Sequence, residues 1–390
     1  MQSPSFLAHQ KRLQLGHGRS NCTSLFGIAE IPCDNHIRNM LDPAEPSLLH
    51  PVFDDALAAI EKMAGGLDGL TAFRRLGGHT LIALDGTEYF CSKTIGCPHC
   101  STRLRRNGET ENFHAMVGAT LVAPGHNKVI PLPPEFIAPQ DGAEKQDCEN
   151  AAVKRWLATH GPRYAKLKPI FLGDDLHSRQ PVCQAVLDTC CHFIFVCKPT
   201  SHPLIEEYIS GVELETHEET HKRGKARTIY RYRWINGVPL RDGKDALRVN
   251  WFEIEIRNRD GEVTYRNSFI TDIPISSDNV VELVACGRAR WKIENETFNV
   301  LKTNGYNLER NFGHGEQHLA AILVTLNLLA FAMHTICEIA DDLWRVAREK
   351  HGSRRHYFDN LAAITSFIIF PSWTDLLQTL SCTKPPPVPP

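Results

Sequence analysis

The chain has 390 residues, of which 42% are hydrophobic and 23% charged, and its formal net charge is −2. This length and apolar content are enough to bury a large core, which excludes an intrinsically disordered protein. The near-zero net charge excludes nucleic-acid binding through overall charge alone, so such contacts must come from local basic segments. Thirteen cysteines, in a sequence that opens without a secretory signal, predict reduced thiols and a cytoplasmic protein.

The first candidate functional residue is Asp85. It directly follows the apolar run LIAL at 81–84, which predicts a buried strand with the carboxylate at its tip. An ionised carboxylate in such a place is costly unless it is paired or binds a cation. Asp85 is therefore a candidate metal ligand, and hydrogen bonds from turn amides are the alternative explanation.

A Cys-Pro-His-Cys motif follows, with Cys97 and Cys100 at zinc-knuckle spacing. Zinc needs four ligands, so two more side chains are required. The alternatives to a zinc site are unligated buried thiols and a redox pair, although no helix is predicted to begin at the motif and lower a thiol pKa. The candidates to complete a zinc site are Cys91, His99, His114 and Cys148.

Asp174 repeats the pattern of Asp85, since it directly follows the apolar run IFLG at 170–173. After the strand that precedes Asp85, two strands are predicted at 111–124 and 128–132 and a helix at 144–160. A strand at 170–173, a helix at 181–191 and a strand at 193–197 follow. The helix at 144–160 is expected to stop at Gly161-Pro162. The order from Asp85 onwards is therefore βββαβαβ.

Residues 205–275 predict two antiparallel hairpins, with turns at Asn236-Gly237 and Asp260-Gly261. We interpret them as an inserted antiparallel β subdomain. Its first hairpin interleaves aromatic residues with the basic residues Arg227, Arg231 and Arg233. This pattern predicts a face of cations beside the acids that contacts DNA phosphates, and a solvated charged face is the alternative.

The third acid, Glu294, lies in a helix predicted between Ser276 and Gly305. Counting helical turns predicts one apolar face formed by Val284, Gly287, Trp291, Glu294, Phe298 and Leu301. Glu294 is thus expected among core-facing side chains, and Arg290, one turn earlier, is its ion-pair partner if no metal is bound. Trp291 is expected in the core, with stacking on a flipped base as the alternative.

Two more helices are predicted at 316–349 and 358–380, and the proline-rich tail at 383–390 is expected to be disordered. Residues 317–337 contain no Asp, Glu, Lys or Arg over about the length of a membrane span. Asn327 and His334 within this segment favour a buried core helix, and we predict no membrane span.

Three segments around the acids carry a family resemblance: ALDGTEYF at 83–90, FLGDDLHSRQP at 171–181 and GRARWKIENETFNVLKTNGYNLERNFGHG at 287–315. They resemble the DDE transposases of bacterial insertion sequences, specifically the insertion sequence 4 group, over roughly residues 31–347. The resemblance implies an α/β fold with an RNase H-like mixed sheet flanked by helices. It also implies a β insertion between the second and third acids.

Residue by residue, the resemblance makes Asp85 the first acid, Asp174 the second and Glu294 the third, with Asp175 as the alternative second acid. It implies two Mg²⁺ or Mn²⁺ ions held by these acids, which would cleave transposon ends and transfer the strands into target DNA. The implied partners are double-stranded DNA with terminal inverted repeats, target DNA and a second copy of the chain in the DNA complex. The implied location is the bacterial nucleoid.

The family signature on the third-acid helix is only partly present. Arg290 and Glu294 match it, Gly287 occupies the position of a tyrosine, and Lys302 follows one residue after the expected lysine site. Arg290 and Lys302 are predicted to contact phosphates, with Trp291 beside them. The alternatives to a transposase are a non-catalytic DNA- or zinc-binding derivative and an endonuclease that cuts without joining.

The predicted organisation has six parts. The first is short for a terminal-repeat-binding domain, as expected of a truncated copy. A helical N-terminal DNA-binding region is predicted at 1–75, the first part of the catalytic core at 76–204 and the β insertion at 205–275. The second part of the core, with the third acid, follows at 276–350, then a helical C-terminal region at 351–382 and the tail at 383–390.

Overall fold

The computed structural model describes residues 5–16, 19–30, 32–63, 70–139, 147–223, 226–310 and 313–382. The predicted helix start at 144–146 and the predicted tail at 383–390 lie outside these ranges. Within them the fold is mixed α/β, with parallel and antiparallel strands in one sheet and helices on both faces. The predicted fold class is confirmed at this level.

The described strands form a single sheet in the order β3-β4-β2-β6-β7-β11-β10-β9-β8, with β1 paired to β2 and β5 paired to β4. The strands are β1 Arg74–Arg75, β2 His79–Ser92, β3 Ser101–Leu104, β4 Thr110–Val122, β5 Ile130–Ile137, β6 Pro169–Gly173, β7 His192–Val196, β8 Glu215–Arg223, β9 Ala226–Pro239, β10 Arg248–Arg257 and β11 Val263–Thr271.

The helices lie before, between and after these strands. They are α1 Phe6–Gln14, α2 Arg19–Phe26, α3 Asp34–Leu41, α4 His50–Met63, α5 Glu149–Tyr164, α6 Gln180–Leu187, α7 Pro203–Ser210, α8 Val280–Arg288, α9 Asn299–Thr303, α10 Leu319–Ala340, α11 Asp342–Lys350, α12 Arg354–Phe367 and α13 Trp373–Ser381. A 3₁₀ turn, Ala289–Trp291, and a π-helical segment, Ile293–Phe298, join α8 to α9.

The centre of the sheet is parallel. β2 pairs parallel with β6, and β6 pairs parallel with β7, whereas β4 and β5 add antiparallel strands on the other side of β2. All five residues of β6 are buried, as expected of a strand with helices on both faces. The predicted order βββαβαβ is confirmed, with the short strand β3 as an unpredicted addition.

Alternating side chains divide the helices between two faces of the sheet. On one face, which also carries Asp85, the π-helical segment approaches so closely that a Cβ on Gly118 would lie 2.7 Å from the Phe298 ring. On the opposite face α5 covers the sheet, and Trp156 packs edge-on against Phe171 with ring centroids 5.9 Å apart. The acid-bearing face is thus the face of the third-acid segment.

Several predicted boundaries are wrong. The helices predicted at 316–349 and 358–380 are each divided in two, into α10 and α11 and into α12 and α13. Asp85 does not lie at a strand tip, because β2 continues past it to Ser92 through a register shift beyond Glu88. α5 continues through Gly161-Pro162 to Tyr164, with Pro162 inside its last turn.

Asn236-Gly237 does not form a hairpin turn but lies within β9, where the two residues form a bulge opposite Asn250 of β10. The Gly237 N–H donates to Asn250 Oδ1 (3.0 Å), and the Asn236 side chain bonds both the N–H and the carbonyl of Ile275. The predicted turn at Asp260-Gly261 is confirmed between β10 and β11. β11 also pairs with β7, so the β insertion extends the central sheet.

α10 is the one described helix that is long and apolar enough to cross a membrane, and half of its most apolar 18-residue window is buried. It packs against β5 and α4. Near its end the buried Glu338 forms ion pairs with Lys128, Arg348 and Arg354. A buried carboxylate with three cations fits the interior of a protein, in line with the prediction of a core helix.

Gly287 in α8 has no room for a side chain. A Cβ there would lie 2.8 Å from one Phe269 ring carbon and 3.1 Å from Ile194 Cγ2, both in buried side chains. The tyrosine of the family signature therefore cannot be accommodated at this position, and the helix packs directly on β7 and β11.

We predict that Gly287→Ala lowers the free energy of unfolding by about 1–3 kcal/mol, because the added methyl overpacks a closed interface. Chemical denaturation of the variant and the wild type measures the change. Gly211→Ala is the control, because its Cβ would meet only Tyr208 O, at 3.8 Å, with φ at −95°. Equal stability losses in the two variants would contradict the prediction.

Candidate active site and metal-ligand clusters

The parallel pairing of β2 and β6 brings Asp85 and Asp174 together. Thr80 pairs with Pro169 and Ala83 with Leu172, at a constant offset along the two strands. The same offset continued by two residues sets Asp174 beside Asp85, on the same face of the sheet. Two acids that are far apart in the sequence, at positions 85 and 174, are therefore neighbours in the fold.

Glu294 reaches the same place from the segment above the sheet, through Arg290. Arg290 Nη1 lies 2.7 Å from Glu294 Oε1 and 3.7 Å from Asp85 Oδ2, so one guanidinium joins two acids by ion pairs. The Asp85 and Arg290 side chains are mostly buried, whereas the Glu294 side chain is 43% exposed. The expectation that Glu294 faces the core is wrong, because it borders solvent.

The helix between Val284 and Leu301 is not regular, and this explains the error. The 3₁₀ turn and the π-helical segment change the number of residues per turn on either side of Lys292. Counting by 3.6 residues per turn therefore assigns residues after the 3₁₀ turn to the wrong face of the helix. Trp291, predicted to be in the core, is 60% exposed, whereas Ile293 is fully buried.

Burial raises the pKa of Asp85 to about 7, and this is the largest influence on the group. Arg290 acts in the opposite direction, and the carboxylates of Glu294, Glu149 and Asp174 raise the pKa further. All four acids are thus close enough to interact electrostatically. The four acids outnumber Arg290 and the neighbouring His177, and such a surplus of negative charge is the condition in which a divalent cation binds favourably.

Asp174 is held by a buried histidine that sequence reasoning did not identify. His177 has a fully buried side chain, and its ring nitrogens lie 3.2 Å from Asp174 Oδ1 and 3.2 Å from Glu149 Oε1. Burial acts to lower the pKa of His177, but the two carboxylates outweigh it and raise the pKa to about 9. The two carboxylates therefore favour the protonated form of His177, and the Asp174 N–H also lies 3.2 Å from its Nδ1.

Burial acts to raise the pKa of Asp174, but the interactions with His177 and the hydrogen bond from the Leu176 N–H outweigh it and lower the pKa. Glu149, at the start of α5, approaches so closely that a Cβ on Gly86 would lie 2.2 Å from its Oε2. The Gly86 N–H donates to Glu149 Oε1 (3.2 Å). Glu149, Asp174 and His177 together form one cluster that can hold a metal ion.

Asp175, the alternative second acid, has a different set of contacts. Its Oδ1 accepts hydrogen bonds from the Lys198 N–H and from Ser201 Oγ, both at 2.6 Å. Asp175 therefore fixes the loop after β7. This geometry favours Asp174 as the acid that lies beside Asp85.

Lys302 lines a groove next to the acids. Its Nζ lies 2.9 Å from Glu309 Oε1, and the groove between them extends to Gly86 and Glu149. Trp291 stands exposed beside Arg290 on the same segment. Of the predicted phosphate-contacting and base-stacking residues, Trp291 is exposed and Lys302 lines the groove, whereas Arg290 is mostly buried between two acids.

Arg231 and Arg233 do not lie beside the acids as predicted. The cross-strand pairs from β9 through β10, β11, β7 and β6 put the arginine side chains on the sheet face opposite Asp85. Arg233 forms an ion pair with the buried Glu253, and Arg231 with Glu218 at 3.5 Å. Arg227 is exposed and lies opposite Lys222.

A second cluster contains the Cys-Pro-His-Cys motif. Cys97 Sγ lies 3.6 Å from Cys100 Sγ and 3.4 Å from His114 Nε2, and Cys100 Sγ lies 3.3 Å from His114 Nε2 and 3.8 Å from His314 Nδ1. The four donor atoms all lie within 4.8 Å of one another, so the cluster can hold a metal ion.

The other three candidate ligands lie elsewhere. Cys91 Sγ contacts Glu111, His99 Nε2 is 3.3 Å from the Glu316 carbonyl oxygen, and Cys148 is exposed at the start of α5. His314 was missed as a ligand because it lies far from the motif in sequence. A histidine between two glycines is the only signal for it.

No protein-family model matches this sequence, and a search of the curated proteins finds no match. The family resemblance in the three sequence segments is therefore untested by these comparisons. Any function assigned to the chain depends on the geometry of the two clusters and the acids.

We predict that Asp85→Asn stabilises the protein more at pH 8 than at pH 5 in buffer without added divalent ions. The folded pKa of Asp85 is raised from 3.8 to about 7, so its contribution to stability falls as the pH rises through this window. The asparagine stays neutral throughout. The gain in unfolding free energy should therefore be larger at pH 8 by about 2 kcal/mol.

Thermal and chemical unfolding at the two pH values measures this difference. His177 titrates in both proteins, so its contribution cancels in the comparison. Asp278→Asn, at an exposed turn position before α8, is the control. A gain of the same size at pH 5 and pH 8 would show that Asp85 is ionised at both.

Proposed function

We propose that the chain is a transposase of the DDE type, with an RNase H-like core that cleaves transposon ends and transfers them into target DNA. The observation that carries the proposal is the convergence of three acids from separate elements. Asp85 and Asp174 share one row of the parallel sheet, and Arg290 joins Asp85 to Glu294. The three sequence segments with the family resemblance are the segments that contain these acids.

The residues present fit hard divalent cations. The carboxylate oxygens of Asp85, Asp174 and Glu294 are the ligand type of Mg²⁺ and Mn²⁺. Together with Glu149 they outnumber the two cationic partners, Arg290 and His177. When bound, two such ions supply activation of the attacking oxygen and stabilisation of the leaving oxygen in an in-line displacement at phosphorus.

Arg290 has two roles in this proposal. Without a cation its guanidinium neutralises Asp85 and Glu294. With these acids paired to a divalent cation, the guanidinium would be available to contact a phosphate oxygen, for which its planar donor set is well suited. Lys302 at the groove would contact a neighbouring phosphate, and the exposed Trp291 would stack on an unpaired base.

His177 and Glu149 act as positioning residues. His177 contacts the Asp174 carboxylate and is itself held by Glu149, so that the carboxylate keeps one orientation while charge develops at phosphorus. Glu149 is also near enough to Asp85 to raise its pKa. A protein with this function would act on DNA in the cytoplasm of a bacterial cell, with a second copy of the chain at the other transposon end.

We predict that Asp85→Asn, Asp174→Asn and Glu294→Gln each reduce Mg²⁺-dependent DNA cleavage at least 100-fold, because each removes a ligand charge and keeps the shape. DNA affinity should change less than about threefold. The assay uses a plasmid that carries the DNA flanking the gene, with gel readout of nicks and joined products. Glu296→Gln, on the same π-helical segment, is the matched control.

Retention of cleavage in all three variants would refute the assignment of the acids. Cleavage without joined products from pre-cut ends would favour the endonuclease that cuts without joining. The absence of cleavage by the wild type, with intact DNA binding, would favour the non-catalytic derivative. The three outcomes are therefore distinguishable in one set of assays.

A second DNA-binding surface is proposed for the opposite face of the sheet. On strands β8 to β11 six basic side chains share this face with three acidic ones, which leaves an excess of positive charge. They are Lys222, Arg227, Arg231, Arg233, Arg257 and Arg266, with Glu218, Glu253 and Glu255. Arg233 and Arg266 both form ion pairs with Glu253. The exposed Lys222 and Arg227 are therefore the best candidates to contact DNA phosphates.

We predict that the double variant Lys222→Ala, Arg227→Ala weakens binding to unrelated DNA sequences equally. The slope of log affinity against log salt should fall by about two units, one for each phosphate that the variant no longer binds. Fluorescence anisotropy at several salt concentrations measures both. Lys244→Ala, an exposed lysine in the loop between β9 and β10, is the control. An unchanged salt slope would mean that this face is only a solvated surface.

A further inference from the structure

We propose that Cys97, Cys100, His114 and His314 bind one structural Zn²⁺ ion, and that this ion fastens the loop after the third-acid segment to the central sheet. The inference does not depend on the proposed function, because metal content can be measured without DNA. Three separate parts of the chain supply the ligands: the loop between β2 and β3, strand β4, and the loop between α9 and α10.

The distances between donor atoms match a tetrahedral zinc site. With Zn–S and Zn–N bonds of normal length, the edges of such a tetrahedron are about 3.7 Å between two sulfurs and about 3.5 Å between sulfur and nitrogen. The separations are 3.6 Å between the two sulfurs and 3.3–3.8 Å for three of the four sulfur–nitrogen pairs, and all four donor atoms lie within 4.8 Å of one another. Four donors are therefore already arranged around a common centre.

The local backbone supports thiolate ligands. The Cys100 N–H donates to the Cys97 carbonyl (3.1 Å) and closes a tight turn over Pro98 and His99. The Cys97 N–H points to Cys100 Sγ at 3.3 Å, and N–H···S bonds of this kind stabilise a coordinated thiolate. Turns of this type present two cysteines to one ion.

Aromatic side chains fix the two imidazoles. His314 packs edge-on against Phe90 with ring centroids 4.2 Å apart, and His114 stacks on Tyr89 at 5.6 Å. Phe90 is also the cross-strand partner of His114. The rings are thereby held in the orientation in which His114 Nε2 and His314 Nδ1 face the cysteines.

The position of the site gives it a structural role. His314 follows Glu309, the ion-pair partner of Lys302, and precedes the start of α10 at Leu319. Asp42, directly after α3, accepts hydrogen bonds from the backbone N–H groups of Glu316 in this loop and of Leu319 at the start of α10. Zinc at this point would fix the loop to β4, in which Gly118 lies opposite Asp85.

The test uses the full chain expressed in zinc-supplemented medium, with metal content measured by mass spectrometry. We expect about one zinc per chain in the wild type and a loss of at least half in Cys97→Ser and in His314→Asn. Cys91→Ser and His99→Gln are the controls, because both lie next to the site without contributing a donor atom to it. They should retain the wild-type content.

Cobalt substitution gives an independent measure of the ligand set. Co²⁺ bound by the wild type should show the visible absorption of a tetrahedral site with two thiolates, and His314→Asn should change that spectrum. An unchanged spectrum and unchanged metal content in His314→Asn would overturn the assignment of the fourth ligand. A zinc-free wild type, including one with a Cys97–Cys100 disulfide, would overturn the site altogether.

Limited proteolysis of the wild type covers the case in which the variants fail to fold. Removal of zinc by a chelator should increase cleavage in residues 309–318 several-fold, with cleavage in the β10–β11 turn at 258–262 as the internal reference. Equal cleavage of the loop with and without chelator would contradict the proposed attachment to the sheet.

Discussion

The parallel pairing of β2 with β6 is the constraint on which the acid site depends. It puts Asp85 and Asp174 in one row, and both positions face the helix layer that contains Glu294. A slip of one residue would turn one carboxylate to the opposite face of the sheet. The apolar residues before each acid are packed on both faces of the sheet, so such a slip would also disrupt their close packing.

Close approach across the sheet is the second requirement. The bare backbone at Gly118 lets the Phe298 ring rest on the sheet beside Asp85, and the bare backbone at Gly86 admits the Glu149 carboxylate from the other face. Acids and their partners therefore converge on both sides of β2. The electrostatic cost is visible in Asp85, whose pKa is raised by burial to about 7 and by its acidic neighbours in the same direction.

The sequence was sufficient where one periodic signal determined one element. The apolar runs before Asp85 and Asp174 predicted their strands and the order βββαβαβ, and the Cys97–Cys100 spacing identified half of a metal cluster. It was insufficient where the helical period changes or a partner is remote. Trp291 is exposed in the 3₁₀ turn before the π-helical segment, and cross-strand register puts Arg233 on the opposite face of the sheet. His314 reaches Cys100 only through the tertiary fold.

The acids and the Cys/His cluster share the same supporting elements. In the β2–β4 ladder, Asp85 of β2 pairs with Gly118 of β4, and Phe90 of β2 pairs with His114 of β4. The chain from Arg290 to His314 crosses both pairs, with ion pairs at its start and the cysteine contacts at its end. Because this segment touches the sheet at both ends, its π-helical turn is held in place by tertiary contacts. Its local sequence alone would not favour that turn over a regular helix.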